Sequence, residues 1–202
     1  VVALTNHRRR RGFPFLLLIV LAATPAHAAK EVVHDWPAGI PSAAELEAAG
    51  AVIGQIRVTV GDVFDPSIPA EDKWLYRTAN RLHINTRQPI IRNQLLFKTG
   101  EPYVHRIVQE TERILRGNDF LYDAWIRPMA YDGKTVDLEV RTRDTWTLNP
   151  GINFSRQGGA NSSSVELEEK NLLGNGQRLS FGWSNDVDRT SLDFEFFDPH
   201  FH

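Results

Sequence analysis

The chain contains no cysteine, which excludes a disulfide framework and a thiolate metal site. It also lacks common enzyme motifs, since there is no G-x-S-x-G elbow, no phosphate-binding loop and no H-E-x-x-H helix. His83 and His105 are isolated, so we expect packing or surface residues rather than ligands. The sequence therefore predicts a protein that is not an enzyme and has no cofactor, catalytic residue or metal site.

Long apolar runs are missing except near the start. Arg8–Arg11 form a basic stretch, Phe15–Ala23 an apolar one, and Ala26-His27-Ala28 a small-x-small cleavage site, an order that predicts a signal peptide over residues 1–28. Removing it takes four arginines from the 23 Lys and Arg and none of the 25 Asp and Glu, leaving a net charge of −6. This acidic balance argues against a nucleic-acid partner.

The region after the signal begins with a predicted linker. Residues 29–50 are rich in Ala, Pro and Gly, and we expect a mobile segment with one short helical turn at 43–49. A β-rich run at 52–60 predicts a strand, and the apolar spacing within 68–82 allows a helix. Thr86 is a suitable N-cap for a short helix carrying Ile90 and Ile91.

The clearest helix of the sequence covers residues 104–115. Its apolar positions form one continuous stripe with polar residues elsewhere, which is typical of a helix that packs on a core. Two predicted strands follow, at 120–129 and 135–143, and Asp132-Gly133 between them is a strong hairpin signal. The predicted order of the region is strand, helix, helix, strand, strand.

Residues 145–197 alternate between apolar and polar side chains four times. This period of two predicts four β-strands, each with one apolar and one polar face. The apolar members are Trp146, Leu148, Pro150, Ile152 and Phe154; Val165 and Leu167; Leu179, Phe181 and Trp183; and Leu192, Phe194 and Phe196. Polar loops at 157–163 and 185–189 and an Asn-Gly turn at 171–176 predict an antiparallel meander.

Two environments fit this alternation. A soluble sandwich would cover the apolar face with a second layer, whereas a transmembrane barrel would turn that face to lipid. The apolar set is rich in Trp and Phe, as is common where strands meet lipid. The pattern favours the barrel and leaves the sandwich as the alternative.

The junction between the two regions carries a family resemblance. The second hairpin strand ends in a charged pair, Arg143-Asp144, and the next strand has Gly151 near its middle. An N-x-L-G-x-G turn, Asn171–Gly176, follows the second strand of the meander, and Asp198-Pro199 follows the fourth. These features resemble the entry from the last POTRA domain into the barrel in BamA/TamA-type outer-membrane assembly factors of the bacterial surface antigen superfamily.

The resemblance implies a fold and a location. Residues 51–144 would form an α+β POTRA-like domain (β-α-α-β-β) in the periplasm, and residues 145–202 the first four antiparallel strands of a transmembrane β-barrel in the Gram-negative outer membrane. The implied function is assembly, insertion or translocation of other proteins. Its partners would be outer-membrane lipid, unfolded outer-membrane protein clients or secreted polypeptides, with accessory lipoproteins as a further class.

The resemblance also implies how clients are bound. POTRA domains offer an edge strand to extended peptides, and the first barrel strand would be a weakly held edge that templates a client's strand. The residues proposed for this strand are Thr145, Trp146, Leu148, Pro150, Gly151, Ile152 and Phe154; those of the periplasmic turn are Asn171, Leu173, Gly174 and Gly176. Proline suits an edge because it lacks a ladder donor, but Pro150 and Gly151 equally fit a kinked strand entry.

Four acidic residues fall on the polar side of the alternation. If the apolar face meets lipid, then Glu166, Glu168, Asp193 and Glu195 face the barrel lumen close together. We expect them to find cationic partners in a further barrel segment. A solvated acidic wall is the alternative.

The sequence departs from the family in length. Four strands cannot close a membrane barrel, whose minimum is about eight, so we expect an N-terminal fragment of a longer protein. Three other functions remain open: an outer-membrane channel or structural barrel protein, a soluble periplasmic POTRA-like adaptor, and an envelope enzyme with a further domain.

Overall fold

The computed structural model describes residues 36–157 and 160–199. The predicted signal peptide, residues 1–28, lies outside the described residues, as does the first part of the predicted linker. Among the described helices, none is long and apolar enough to cross a membrane.

The first sheet contains three strands in the order β1-β3-β2. Strand β1 covers Val52–Gly61, β2 covers Leu121–Tyr131 and β3 covers Thr135–Asp144. Strands β2 and β3 form the predicted antiparallel hairpin, and β1 lies parallel to β3. Gly133 in the hairpin turn has a φ of +95°, a value that glycine adopts without strain. The predicted strand positions in this region are confirmed within two residues at each end.

Four helices accompany the first sheet: α1 (Ala43–Ala48), α2 (Trp74–Leu82), α3 (Gln88–Arg92) and α4 (His105–Arg116). The stripe predicted for α4 is confirmed, since Val108, Thr111 and Leu115 are buried. Helix α1 confirms the helical turn predicted at 43–49, and Ser42 caps it through a capping box with Glu45. The predicted mobile linker is corrected at this helix, because Leu46 is fully buried in the core. The compact α/β unit therefore comprises residues 43–144.

The prediction for Thr86 is wrong. Helix α3 begins at Gln88, after Arg87, and has Pro89 in its first turn, where the fixed φ of proline favours helix initiation. Thr86 does not cap this helix; its hydroxyl accepts a hydrogen bond from Asn171, 85 residues further along the chain. Sequence separation of this size explains why a local capping pattern was misleading.

The core of the α/β unit lies between the helices and one face of the first sheet. Leu46, Ile91 and Leu115 from three helices are completely buried there. The sheet contributes Ile53, Val58, Ala124, Ile126, Val136, Leu138 and Val140. Apolar side chains of this kind each gain about 1.5–3 kcal/mol when fully buried, so the helical layer is what stabilises this sheet.

The second sheet contains four antiparallel strands in chain order. They are β4 (Leu148–Gln157), β5 (Ala160–Glu169), β6 (Arg178–Asn185) and β7 (Thr190–Phe197). The predicted meander is confirmed. The first two strands extend into the predicted 157–163 loop, since Gln157 at the end of β4 pairs with Ala160 at the start of β5. Near this end of the pair, Ser155 and Ser162 face each other with their hydroxyl oxygens 2.7 Å apart.

Strand β4 starts later than predicted. Thr145 belongs to the end of the first sheet, since its N–H donates to the carbonyl of Phe120 at 3.0 Å. Trp146 lies in the connection, where its indole Nε1 donates to the carbonyl of Leu148 at 2.7 Å. Both residues therefore precede the strand to which the sequence assigns them.

Candidate functional site

The strand register places the apolar residues of the second sheet on one face. Ile152 stands opposite Val165, which stands opposite Trp183, which in turn stands opposite Leu192. A parallel row contains Pro150, Leu167, Phe181 and Phe194. The face is uncovered by the described residues, with Phe154 75% and Phe194 71% exposed. An exposed aromatic surface of this extent marks an interaction site for a protein or a membrane.

The opposite face of the second sheet is polar. One row across it alternates glycine and acid, as Gly151, Glu166, Gly182 and Asp193. A Cβ atom on Gly151 would lie 3.4 Å from the Cβ of Glu166, and one on Gly182 would lie 3.5 Å from the Cβ of Asp193. The glycines therefore leave room in which the two acidic side chains lie.

The second acidic row contains Glu168 and Glu195, each opposite Ser180. Glu168 pairs with Arg178 at 3.5 Å and with Lys170 at 4.0 Å, so its cationic partners belong to its own sheet. This corrects the expectation that all four acids depend on a further segment. Within the part of the chain that the structure describes, Glu166, Asp193 and Glu195 have no ion pair.

Arg178 is a functional residue that sequence reasoning missed. It also pairs with Asp119 at 3.1 Å, which lies between α4 and β2. One guanidinium therefore contacts both the second sheet and the α/β unit. Its place at the polar start of β6 was visible in the alternation, but its distant partner was not.

Within the described residues the second sheet has two edge strands, β4 and β7, and β4 is the one that follows directly from the α/β unit. The carbonyl of Thr147 accepts from the N–H of Lys170 at 3.2 Å, so positions 149, 151 and 153 bond to β5 by antiparallel alternation. Positions 148, 150 and 152 then direct their backbone groups outward. Pro150 consequently lacks its N–H on the open side, where the β4–β5 ladder loses nothing.

The β2 edge of the first sheet is closed by helix α4. The N–H of Ile126 donates to Glu112 Oε1 at 2.7 Å, and the carbonyl of Ala124 accepts from Arg116 at 3.0 Å. Glu112 and Arg116 are themselves paired at 3.1 Å. We call these two side chains the α4 clasp.

Neighbouring groups on the β2 edge are also occupied. The N–H of Ala124 donates to Asp123 Oδ1 at 2.8 Å, and Pro128 has no N–H to offer. An extended peptide would have to displace the α4 clasp before pairing with the middle of β2. Closing an edge in this way prevents unwanted strand pairing.

The β1 edge is covered in its first half by the segment before α4. The backbone of Ile53 exchanges hydrogen bonds with this segment, donating to Glu101 and accepting from Gly100, each at 2.8 Å. The carbonyls of Gly54 and Ile56 accept from Thr99 and Arg92. Among the described strands, the two edges of the second sheet, β4 and β7, are therefore more open than β1 and β2.

The α/β unit and the second sheet meet at the buried carboxylate of Asp144. Its Oδ2 lies 2.9 Å from His83 Nε2 and accepts from the N–H of Thr86 at 2.7 Å. Its side chain is completely buried, and that of His83 is 5% exposed. His83 is therefore buried at the junction and paired with Asp144, so it is not isolated as the sequence suggested.

The β5–β6 turn completes the junction. Asn171 donates to the hydroxyl of Thr86 at 2.9 Å and accepts from the N–H of Gly176 at 2.7 Å. The carbonyl of Gly174 accepts from the N–H of Arg87 at 2.9 Å. A Cβ on Gly174 would lie 2.4 Å from the carbonyl oxygen of Asn85, so the turn needs glycine for this close approach.

Leu173 has an unusual conformation in the same turn. Its φ is +54°, although it is not a glycine, and its side chain is 53% exposed. A leucine in the left-handed region costs about 1–2 kcal/mol. The buried hydrogen bonds of Asn171 and Gly174 on either side hold the residue there.

No cluster of three or more His, Asp or Glu side chains suited to a metal ion occurs within residues 36–157 and 160–199. The second sheet presents three surfaces: an exposed apolar face, a polar face carrying acids, and the open β4 edge.

The described residues form a mixed α/β fold with two sheets and seven strands. This fold is similar to BamA from Haemophilus ducreyi, in a crystal structure lacking POTRA domains 1–3, with a TM-score of 0.51 and 16% identity over 74% of this chain and 25% of that one. CdiB from Acinetobacter baumannii has a TM-score of 0.45 and 12% identity, over 73% of this chain and 25% of its own.

The similarity to BamA concerns the fold, at an identity of 16%. The chain spans about a quarter of the length of either solved structure (25% in both cases). No protein-family model and no curated protein matches the chain.

Proposed function

We propose that this chain belongs to an outer-membrane assembly or translocation factor of the BamA/TamA type. In this proposal the α/β unit is a POTRA-like periplasmic domain and β4–β7 begin a transmembrane barrel. The observation that carries the proposal is the exposed apolar face of a register-matched meander that follows directly from the α/β unit. The fold similarity to BamA supports it.

In this proposal the two faces of the second sheet meet different environments, one lipid and one water. The face with Phe154 and Phe194 contacts the hydrocarbon of the outer membrane, because side chains of this type are favoured there. The face with Glu166 and Asp193 borders the water-filled interior. Charged side chains on a lipid face are destabilising, although Asp and Glu less so than Lys and Arg, so the reverse orientation is disfavoured.

Client strands pair with β4 in this proposal. Its outward backbone groups are open, and main-chain hydrogen bonds bind extended chains with little demand on their sequence. Pro150 removes one outward hydrogen-bond donor and so weakens the pairing of any permanent partner strand with β4. The clients are unfolded outer-membrane proteins or secreted polypeptides, and accessory lipoproteins would bind the periplasmic unit.

Strand addition to the α/β unit has a smaller part in the proposal. The α4 clasp occupies the middle of the β2 edge, and the segment before α4 covers half of β1. A client therefore meets less resistance at β4 than at either edge of the first sheet. The process is strand pairing and involves no covalent chemistry, so no catalytic residue or cofactor is proposed.

A passive channel is a second candidate function. It is favoured by Glu166, Asp193 and Glu195, which have no ion pair among the described residues and would attract cations to a pore wall. Single-channel conductance separates the two functions. A steady cation-selective conductance that Asp193→Asn lowers, without accumulation of clients on depletion, would favour the channel.

The lipid assignment can be tested with single cysteines, because the chain has none of its own. Ile152→Cys on the apolar face and Asn153→Cys on the polar face are labelled with an environment-sensitive fluorophore and reconstituted in phospholipid vesicles. We expect the label at 152, and not the neighbouring label at 153, to be quenched by lipid-borne quenchers. Equal quenching at both positions would contradict the assignment.

Client pairing can be tested by photo-crosslinking in cells. A photoreactive phenylalanine analogue is placed at Asn149 on β4 and, as a control, at Ser180 on the inner strand β6. We expect newly made outer-membrane proteins or secreted chains to crosslink at 149 much more than at 180. Absence of any client adduct at 149, in protein that reaches the membrane, would refute pairing at β4.

A further inference from the structure

Helix α2 and the segment after it expose large apolar side chains. Trp74 is 69% exposed, Leu82 72% and Ile84 52%. The helix does not need them for packing, because it is held by other residues: Ala79 is buried and Tyr76 stacks on Phe64 with ring centroids 4.2 Å apart. Trp74 and Leu82 are therefore available for a partner outside the described chain.

The exposed side of α2 is also basic. With 3.6 residues per turn, the exposed residues follow one another around one side of the helix in the order Arg77, Arg81, Trp74, Thr78 and Leu82. Asp72 pairs with Arg77, while Arg81 and Lys73 have no carboxylate partner among the described residues. Cations beside Trp and Leu are the composition of helices that lie in a membrane interface.

The position of α2 in the fold supports a membrane partner. The residues directly after the helix contact the junction: His83 reaches Asp144, and Arg87 donates to Gly174 in the β5–β6 turn. Leu173 in that turn is also exposed. The C-terminal end of α2, with Leu82 and Ile84, therefore leads into the junction, at the end of the second sheet where β4 begins with Leu148.

We propose that α2 is an interfacial anchor that rests on the phospholipid leaflet next to the β5–β6 turn. Trp74, Leu82 and Ile84 enter the headgroup region, and Lys73, Arg77 and Arg81 contact anionic lipid phosphates. The buried junction fixes the angle between helix and sheet, so docking of α2 orients the α/β unit against the membrane. This inference rests on the proposed function, because it requires β4–β7 to lie in that membrane.

The test compares single-cysteine variants of the full chain reconstituted in phosphatidylcholine vesicles. Trp74→Cys and Leu82→Cys report on α2, and Ile152→Cys reports on the sheet. Met129→Cys is the matched control, since Met129 is an exposed apolar residue near the other end of the first sheet. Pro128, next to Met129, pairs with Leu138 on β3. The distance along β3 from Leu138 to the junction at Asp144 is about 20 Å, at roughly 3.3 Å per residue.

We expect labels at 74, 82 and 152 to be quenched by quenchers attached to the lipid headgroup or upper chain, and the label at 129 to behave as in water. If the label at 152 is quenched but the labels at 74 and 82 behave as in water, like the label at 129, the anchor proposal alone is overturned. Loss of quenching at 152 would overturn the proposed function and, with it, the anchor. The two failures are thus distinguishable.

A second measurement tests the basic residues. Adding phosphatidylglycerol should raise the bound-to-free ratio of the 82 label, and Arg77→Gln with Arg81→Gln should reduce that rise by about fivefold for each arginine at low salt. Salt should have the same effect, because the screening length falls from about 30 Å at 0.01 M to about 8 Å at 0.15 M. Identical ratios with and without phosphatidylglycerol would refute the role of the basic residues.

Discussion

The two sheets of this protein use the same local pattern for opposite purposes. In the first sheet, the apolar face lies under helices, and Leu138 is 1% exposed. In the second sheet, the equivalent face has no cover among the described residues, and Leu192 is 67% exposed. Alternation with period two therefore specifies that a strand has two faces, but it does not specify what each face meets.

The edges of the two sheets differ in the same direction. Side chains of α4 and the segment before it occupy backbone groups along β2 and β1, whereas no described residue does so along β4. Within the described residues, the edges of the first sheet are occupied, and the second sheet is open on one face and at its edges. The proposed function depends on this contrast.

The largest expected effect comes from truncating matched leucines in the two sheets. Leu138→Ala should lower the free energy of unfolding by about 3–4 kcal/mol, because it leaves a cavity in a packed core. Leu192→Ala should change it by less than about 0.5 kcal/mol, as at exposed positions. Urea titration in detergent, followed by circular dichroism, measures both. Similar losses would show that the second sheet has a covered face.

The next largest effect compares a glycine at the junction, Gly174, with a glycine in an open hairpin turn, Gly133. Gly174→Ala should cost about 3 kcal/mol, since the new Cβ meets the backbone of Asn85 and φ is +74°. Gly133 has a φ of +95° with open space around it. Gly133→Ala should therefore cost only the conformational strain of about 1–2 kcal/mol. The same titration measures both variants, and equal costs would argue against close contact at the junction.

Asn171 offers a test of the buried hydrogen bonds between the sheets. Asn171→Ala should destabilise the protein by about 2 kcal/mol, because Thr86 and the N–H of Gly176 lose buried partners. Asn175→Ala is the control in the same turn. Limited proteolysis should then cut the 145–147 connection faster in the first variant only; unchanged cleavage would mean that Asn171 does not join the sheets.

Breaking the α4 clasp should have a smaller effect on the free energy of unfolding and a separate effect on peptide binding at the β2 edge. Glu112→Ala should cost about 1 kcal/mol and open the β2 edge to extended peptides. Glu110→Ala on the same helix is the control, because it breaks only a surface pair with Arg113 and should change stability less than Glu112→Ala does. Photo-crosslinking from Arg127 should detect clients in the first variant only. Client adducts at 127 in the unaltered protein would show that β2 is open after all.

The smallest effect is a local pH dependence in the β2–β3 hairpin. Hydrogen bonds from the backbone N–H groups of Thr135 and Lys134 hold the pKa of Asp132 below its ordinary value. A carboxyl with a lowered pKa stabilises the fold above its unfolded pKa of about 3.9, and this contribution is lost as pH falls through the folded pKa. The Gly133 amide shift, followed by NMR, should titrate below pH 3.9. Persistence of that titration in Asp132→Asn would assign it to another group.

Much of the fold could be predicted from sequence because its signals are local. Asp132-Gly133 predicted one turn, Asn171–Gly176 another, and the stripe of α4 predicted which side is buried. The misleading signals were also local. Thr86 has the chemistry of an N-cap, but its partner is Asn171. A helical turn at 43–49 was predicted, but the Ala, Pro and Gly around it did not indicate that Leu46 packs in the core.

The candidate site divides in the same way. The faces of β4–β7 and the position of Pro150 followed from alternation, since side chains on a strand point to opposite sides whatever surrounds them. The pairing of Glu168 with Arg178 and the contact of Arg178 with Asp119 did not follow. They depend on the register and on how the sheet meets the α/β unit.

The sequence by itself determined where strands and helices lie and which side of each is apolar, because these properties repeat along the backbone with fixed periods. Only the tertiary structure decided that helices cover one sheet and leave the other exposed, that α4 closes the β2 edge, and that Asp144 and Asn171 are buried at the junction. The two junction contacts require groups 58 and 85 residues apart to meet, and no local period encodes such meetings.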